Sequence, residues 1–172
     1  MRRIPCAALL GAALLISGCG DLISLHGLYS VEDDVREPKL VGKWENKHGL
    51  FTVERIGGYY EVTLQPKPVG TESTKFEMRL VDVGGVRFAD LLPPESVGHM
   101  WLRVRLNGDE LRVAFFDSEW LRQRLPVELA DLVNHRKQAV LTAKTPELRT
   151  LVAKYAAEPK AYDDDIVYLR SK

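Results

Sequence analysis

The sequence predicts an α+β fold, mainly an antiparallel β-meander or small barrel-like sheet, with two to three helices in its C-terminal half. Two observations carry this expectation. Between residues 40 and 116, apolar and polar side chains alternate with period two in runs separated by glycine-rich pairs. Beyond Phe116 the apolar residues recur instead at i, i+3, i+4 and i+7, the spacing of one helix face.

The strand runs come in pairs. Phe51 and Val53 share a face with Tyr60, Val62 and Leu64, and Gly57-Gly58 joins the two runs. Glycine tolerates positive φ, as the tight turns of hairpins require. Pairing across this turn sets Val53 against Val62 and Phe51 against Leu64, and leaves Glu54 facing Glu61. A second run sets Phe76, Met78 and Leu80 against Lys75, Glu77 and Arg79, and Gly84-Gly85 returns the chain through residues 86–91. A third points Met100, Leu102, Val104 and Leu106 inward, with Trp101, Arg103 and Arg105 outward. Asn107-Gly108 follows, a strong hairpin signal. With that pair as the turn, Val104 meets Leu111, Leu102 meets Val113 and Arg105 meets Glu110. Val81, Val83, Val86 and Phe88 fall opposite Met78 and Leu80, so both faces of the second hairpin are apolar. The outer one awaits a helix or, in the alternative, a lipid or protein partner.

The helical region supplies that cover. Asp117 or Ser118 caps a short helix carrying Trp120, Leu121 and Leu125. Pro126 suits the first turn of a second helix, with Leu129, Leu132 and Val133 on one side. Residues 138–142 read as a strand. Thr145 caps a third helix with Pro146 at its first position, and Leu148, Leu151, Val152 and Tyr155 form its apolar stripe. Residues 166–170 form the closing strand after the acidic turn Asp163-Asp164-Asp165.

The first residues of the chain have another character. Arg2 and Arg3 precede an apolar stretch, residues 4–16, broken only by Pro5 and Gly11. It is shorter than the ~20 apolar residues needed to span a bilayer and ends in Ile16-Ser17-Gly18-Cys19. This segment resembles a bacterial lipoprotein signal with its lipobox. The resemblance implies that residues 1–18 are removed and that Cys19 becomes the acylated first residue of the mature protein. It divides the chain into that signal, a lipidated cysteine and tether over 19–39, and a single β-rich domain over 40–172. Gly20, rather than aspartate, after the cysteine implies an outer-membrane anchor facing the periplasm. Leu22, Ile23, Leu25, Leu28 and Tyr29 are apolar for a tether, and either dock on the domain or lie among lipid headgroups. Ser30 is placed to cap a short helix there.

Composition narrows the partners. The 24 basic residues balance the 24 acidic ones, so no positive excess points to nucleic acid. Of the two cysteines, Cys6 lies in the signal, which leaves the mature fold without a disulfide. His26, His48, His99 and His135 stand at no metal-ligand spacing, and Ser118 lacks a nucleophile-elbow context. No cofactor, metal or enzymatic activity is expected.

Two sets of residues remain as binding candidates. Arg103, Arg105 and Arg112 share an outer face beside Trp101, with Glu110 as the nearby acid. Such a stripe suits anionic headgroups or a carboxylate ligand, or else is a solvated sheet face. Gly42-Lys43-Trp44 resembles the glycine-x-tryptophan that opens the lipocalin barrel. By that resemblance Trp44 closes one barrel end and Arg170 covers it. The block from residue 117 to 157 and the missing disulfide depart from the family. The expected role is a membrane-anchored, non-catalytic interaction or structural module of the envelope. The alternative is a lipocalin-like binder of a small apolar or amphiphilic ligand. The bulky inward residues favour a filled barrel over a hollow one.

Overall fold

The hairpin signals are realised as an antiparallel meander that closes on itself. The computed structural model describes residues 22–33, 35–67, 72–94, 96, 98–125, 130–133 and 139–171. Eight strands form the barrel: β2 (Gly42–Glu45), β3 (Gly49–Ile56), β4 (Tyr59–Pro66), β5 (Thr74–Val83), β6 (Val86–Leu92), β7 (Met100–Asn107), β8 (Glu110–Phe115) and β11 (Ile166–Arg170). Neighbours in sequence are neighbours in space, and β11 pairs with both β8 and β2 to close the ring. A second sheet is made of β1 (Leu22–Ser24), β10 (Ala139–Leu141) and β9 (Ala130–Val133), with β1 parallel to β10. Among the described residues there are two α-helices, α1 (Ser118–Arg122) and α2 (Thr145–Tyr155), both after β8.

Registers follow the turns. Val53 faces Val62, Phe51 faces Leu64 and Glu54 faces Glu61 across Gly57-Gly58, as the sequence predicts. The third hairpin is two residues off the expected pairing. Its loop is Gly108-Asp109, because Gly108 adopts φ +60° as the first turn residue and Asn107 stays in the strand opposite Glu110. Val104 therefore meets Val113, and Arg105 faces Arg112 rather than Glu110.

Two cores share the wall between them. Inside the barrel, Trp44, Val53, Tyr60, Met78, Leu80, Ala89, Leu102, Val104 and Leu111 are buried. On the outer side, Val81, Val83, Phe88, Trp101 and Ala114 pack with Leu148, Leu151 and Val152 of α2. Each such side chain contributes roughly 1.5–3 kcal/mol on burial. The helix thus covers the second apolar face of the β5–β6 hairpin, as expected. Phe116 stacks on Tyr162 at 4.8 Å and on Phe88 at 5.8 Å to extend this outer core. Gly84 is required here twice over: its φ is +61°, and a Cβ would lie 3.0 Å from the Ala153 Cα of α2.

Several expectations are corrected. Leu132 and Val133 lie in β9, not in a second helix, because they pair with Val140 and Ala139; Pro126 and Leu129 fall outside the described residues. Thr145 does not cap α2. Its hydroxyl donates to the Gly27 carbonyl at 2.9 Å, while Glu147 accepts from the Lys144 amide at 3.0 Å. Ser30 starts a turn rather than a helix, with the Asp33 amide donating to its carbonyl at 3.0 Å. Of the two readings of the apolar residues between 22 and 29, docking on the domain is the one realised: β1 is hydrogen-bonded, and Leu28 is fully buried in the outer core. Cys19 lies outside the described residues.

Candidate functional site

The three glycine-rich loops gather at one end of the barrel, and Trp44 belongs to the same half. The short 3₁₀ turn Pro38–Leu40 leads into β2 and crosses this end. The Trp44 indole is fully buried, and its Nε1–H donates to the Leu40 carbonyl at 2.8 Å. Arg170 lies over the Trp44 ring at 4.2 Å. Its guanidinium also donates to the Val41 carbonyl (3.1 Å), to the Lys39 carbonyl and to Asp109 (3.1 Å). Gly42 makes room for this: its φ is +134°, and a Cβ would stand 2.7 Å from Arg170 Nη1. The last barrel strand is thereby tied to the chain entering the first, far apart in sequence.

Beside this closure the barrel opens into a cavity of about 310 Å³. Its apolar lining is Leu40, Leu80, Val104 and Leu106, and its polar lining is Glu37, Asp82 and Arg87. Arg87 grips Asp82 with two parallel hydrogen bonds of 2.9 and 3.0 Å and reaches Glu37 at 3.2 Å. The hydrogen bond to Asp82, with the charges of Asp82 and Glu37, raises the Arg87 pKa against the opposing effect of burial. The Glu37 amide donates to the Tyr60 hydroxyl at 2.8 Å, which ties the rim to the barrel interior. A volume of this size sits at the lower end of small-molecule sites. Its charged rim was missed from sequence, although Asp82 and Arg87 are cross-strand partners around Gly84-Gly85 and that register was readable.

The arginine stripe is occupied by an acid from elsewhere in the chain. Arg103 reaches Asp165 at 3.3 Å, Arg105 bonds it directly, and Arg112 stands 3.8 Å away. Arg112 also pairs with Glu110 at 2.6 Å. Asp165 thus separates the facing guanidinium groups of Arg105 and Arg112, which would otherwise repel each other. Arg103 lies over the Tyr162 ring at 3.9 Å, and its Nε is buried without a hydrogen-bond partner. Burial pushes the Tyr162 phenol up to about 12, although the Arg103 charge opposes this.

Trp101 does not join that stripe. It is buried, and with Leu22, Ile23, Ser24, His99 and Phe116 it bounds a cavity of about 10 Å³. A space of that order is the size of one water, and the buried Trp101 Nε1–H has no hydrogen-bond partner in the protein. Next to it stands a buried polar knot. Asp90 is 2% exposed; it accepts from the amides of Leu28 and Tyr29, and its second oxygen lies 2.7 Å from His99 Nδ1. Ser24 and His99 exchange backbone hydrogen bonds of 2.9 and 2.7 Å, so His99 holds β1 by its main chain while its ring meets Asp90.

Among the described residues, no group of three or more histidine, cysteine or acidic side chains could hold a metal ion. No described helix is long and apolar enough to cross a membrane. Asp163 is pushed upward by burial and by the neighbouring Asp117 and Asp164. The structure therefore brings Trp44 and Arg170 together, gathers Arg103, Arg105 and Arg112 on Asp165, and moves Trp101 to the β1 side. Comparison with known proteins finds no family model, no curated protein and no solved structure that matches this chain.

Proposed function

We propose that this protein is a lipoprotein anchored through acylated Cys19, facing the periplasm, whose barrel is a non-catalytic interaction or structural module of the cell envelope. The observation that carries the reading is the packed interior beside the mouth: Trp44, Tyr60, Met78 and Leu111 are buried in one cluster inside the barrel, and β5 and β6 contribute side chains to both cores. A rigid body of this kind offers its outer surface to partners. Confinement to a membrane makes their encounter a high-effective-concentration event. The lipocalin-like closure of Trp44 by Arg170 supports the same architecture without demanding a hollow interior.

The decisive experiment is native mass spectrometry of residues 22–172, exported behind a cleavable signal and purified without detergent. The proposal expects the mass of the bare chain. A discrete extra mass recovered in solvent extract favours the second reading, a binder of a small apolar or amphiphilic ligand. That reading has its own support in the 310 Å³ mouth, where an apolar floor meets a charged rim. It further expects Val104→Trp, which fills the mouth, to abolish the extra mass. The anchor is tested separately: Cys19→Ser is expected to lose palmitate labelling and to leave the precursor unprocessed. Normal labelling of that variant overturns the lipid reading.

A further inference from the structure

We propose that the barrel mouth takes a small organic cation, an ammonium group on an apolar stem, with the stem on the apolar floor and the ammonium against the carboxylates of Glu37 and Asp82. The inference rests on the second reading above, a binder of a small amphiphilic molecule, and gives that molecule its charge. The mouth is sorted by depth. Leu40, Leu80 and Val104 are buried and form the floor together with Leu106. Above them the side chains of Glu37, Arg87 and Asp82 are 26%, 33% and 49% exposed. The alternation of β5 explains this order: Leu80 and Asp82 share its inner face, and Asp82 stands nearer the Gly84-Gly85 loop. Gly85 belongs to the same rim, and a Cβ there would meet nothing within 4 Å, so the entry is open on the loop side. A cavity of about 310 Å³ holds roughly ten water-sized groups at ~30 Å³ each, enough for a short stem with its head.

Charge decides the head. Two carboxylates and one guanidinium line the mouth, which leaves one negative charge in excess. Arg36 and Lys39 flank Glu37 in the chain, but both are exposed and neither belongs to the lining. Arg87 is already engaged: Nε and Nη2 donate to the two oxygens of Asp82, and Nη1 donates to Glu37. An incoming carboxylate has to displace one of these acids and then lies against the other. An ammonium displaces neither. A carboxylate offers roughly four acceptor sites, of which Arg87 takes two on Asp82 and one on Glu37. The acids are also held in place before any ligand arrives. The Glu37 amide donates to the Tyr60 hydroxyl at 2.8 Å, its carbonyl accepts from the Leu40 amide at 3.0 Å, and Asp82 faces Arg87 across the β5–β6 pair. A site fixed in this way loses little entropy on binding.

The test titrates octylamine, octanol and octanoate, which share a tail and differ in head charge at pH 7, into residues 19–172 carrying Cys19→Ser. That chain holds every described residue, and without a lipid no detergent competes for the mouth. Calorimetry at low salt is expected to rank octylamine about tenfold tighter than octanol, with octanoate weakest. Glu37→Gln combined with Asp82→Asn is expected to reverse the order of amine and carboxylate, because Arg87 then carries the one charge left in the lining; melting curves report the fold. Val104→Trp is expected to abolish all binding, and Leu106→Trp, nearer the rim, replaces it where the first variant melts early. Equal affinities, octanoate ahead, or an order that the paired carboxamides leave unchanged overturns the ammonium and leaves the amphiphile reading standing. No binding of any probe, or binding that survives in the folded tryptophan variants, overturns the site together with that reading.

Discussion

Asp90→Ala is the substitution that most directly tests whether residues 22–33 belong to the folded body. The wild-type carboxylate is 2% exposed and accepts from two backbone amides, while the ring of His99 lies against its other oxygen. Alanine leaves the Leu28 amide and the His99 side chain without this partner, and each buried group stranded in this way costs about 1–3 kcal/mol. Breaking one side of a buried polar pair costs about 3–5 kcal/mol in all. For a chain of this length that corresponds to a fall in Tm of roughly 10 °C. Urea unfolding followed by circular dichroism gives the free energy. Amide exchange at Ser24, Leu25 and Leu28, all hydrogen-bonded in the native state, shows where it is lost. Asp90→Asn keeps one acceptor and is expected to lose about half as much, on the order of 2 kcal/mol. A loss below about 1 kcal/mol, the range of an exposed pair, would refute the reasoning if exchange at those amides were also unchanged.

Three further outcomes follow from the same contacts. Asp165→Asn leaves Arg105 opposite Arg112 without their shared acid; it is expected to lower stability in urea titration, and added salt is expected to restore part of the loss. Arg170→Ala removes the cover of Trp44 and is expected to cost about 1–3 kcal/mol, with collisional quenchers gaining access to the indole. Arg170→Lys keeps the charge but not the forked geometry, and is expected to rescue only partly. Tyr162 makes stability fall in alkali: its folded value, about 12, exceeds the ordinary 10.0, so the unfolded chain ionises first. Stability is then unchanged below pH 10 and falls by up to about 3 kcal/mol between pH 10 and 12. Tyr162→Phe should remove that decline in pH-dependent melts.

Local chemistry was legible in the sequence where one turn and two short strands decided the outcome. Gly57-Gly58 and Gly84-Gly85 set their registers, and the alternation of residues 75–80 named the inner face. The stripe of α2 found its partner because Val81, Val83 and Phe88 were visibly surplus to a one-sided sheet. Asn107-Gly108 misled by one step at each strand, since the glycine opens the loop instead of closing it. The strand read over residues 138–142 is realised as β10, but the short strands β1 and β9 were harder, because three or four residues carry too little periodicity to separate strand from helix or linker. Long-range charge matching was out of reach: Asp165 meets Arg105 across 60 positions, and Glu37 meets Arg87 across 50. At the Trp44 end, the resemblance of Gly42-Lys43-Trp44 to the lipocalin opening implied the cover by Arg170, but not the charged mouth beside it.

The closing strand has a consequence for how the protein must be made. Each neighbouring pair from β2 to β8 forms as its hairpin is completed, whereas the second edge of β2 waits for β11, more than a hundred positions later. Until β11 arrives, β2 and β8 each present an open row of backbone donors and acceptors. Such edges recruit strands from other molecules. A chain released without β11 would therefore be sticky rather than merely less stable. Synthesis, and any passage across a membrane, must run through β11 before the ring can form.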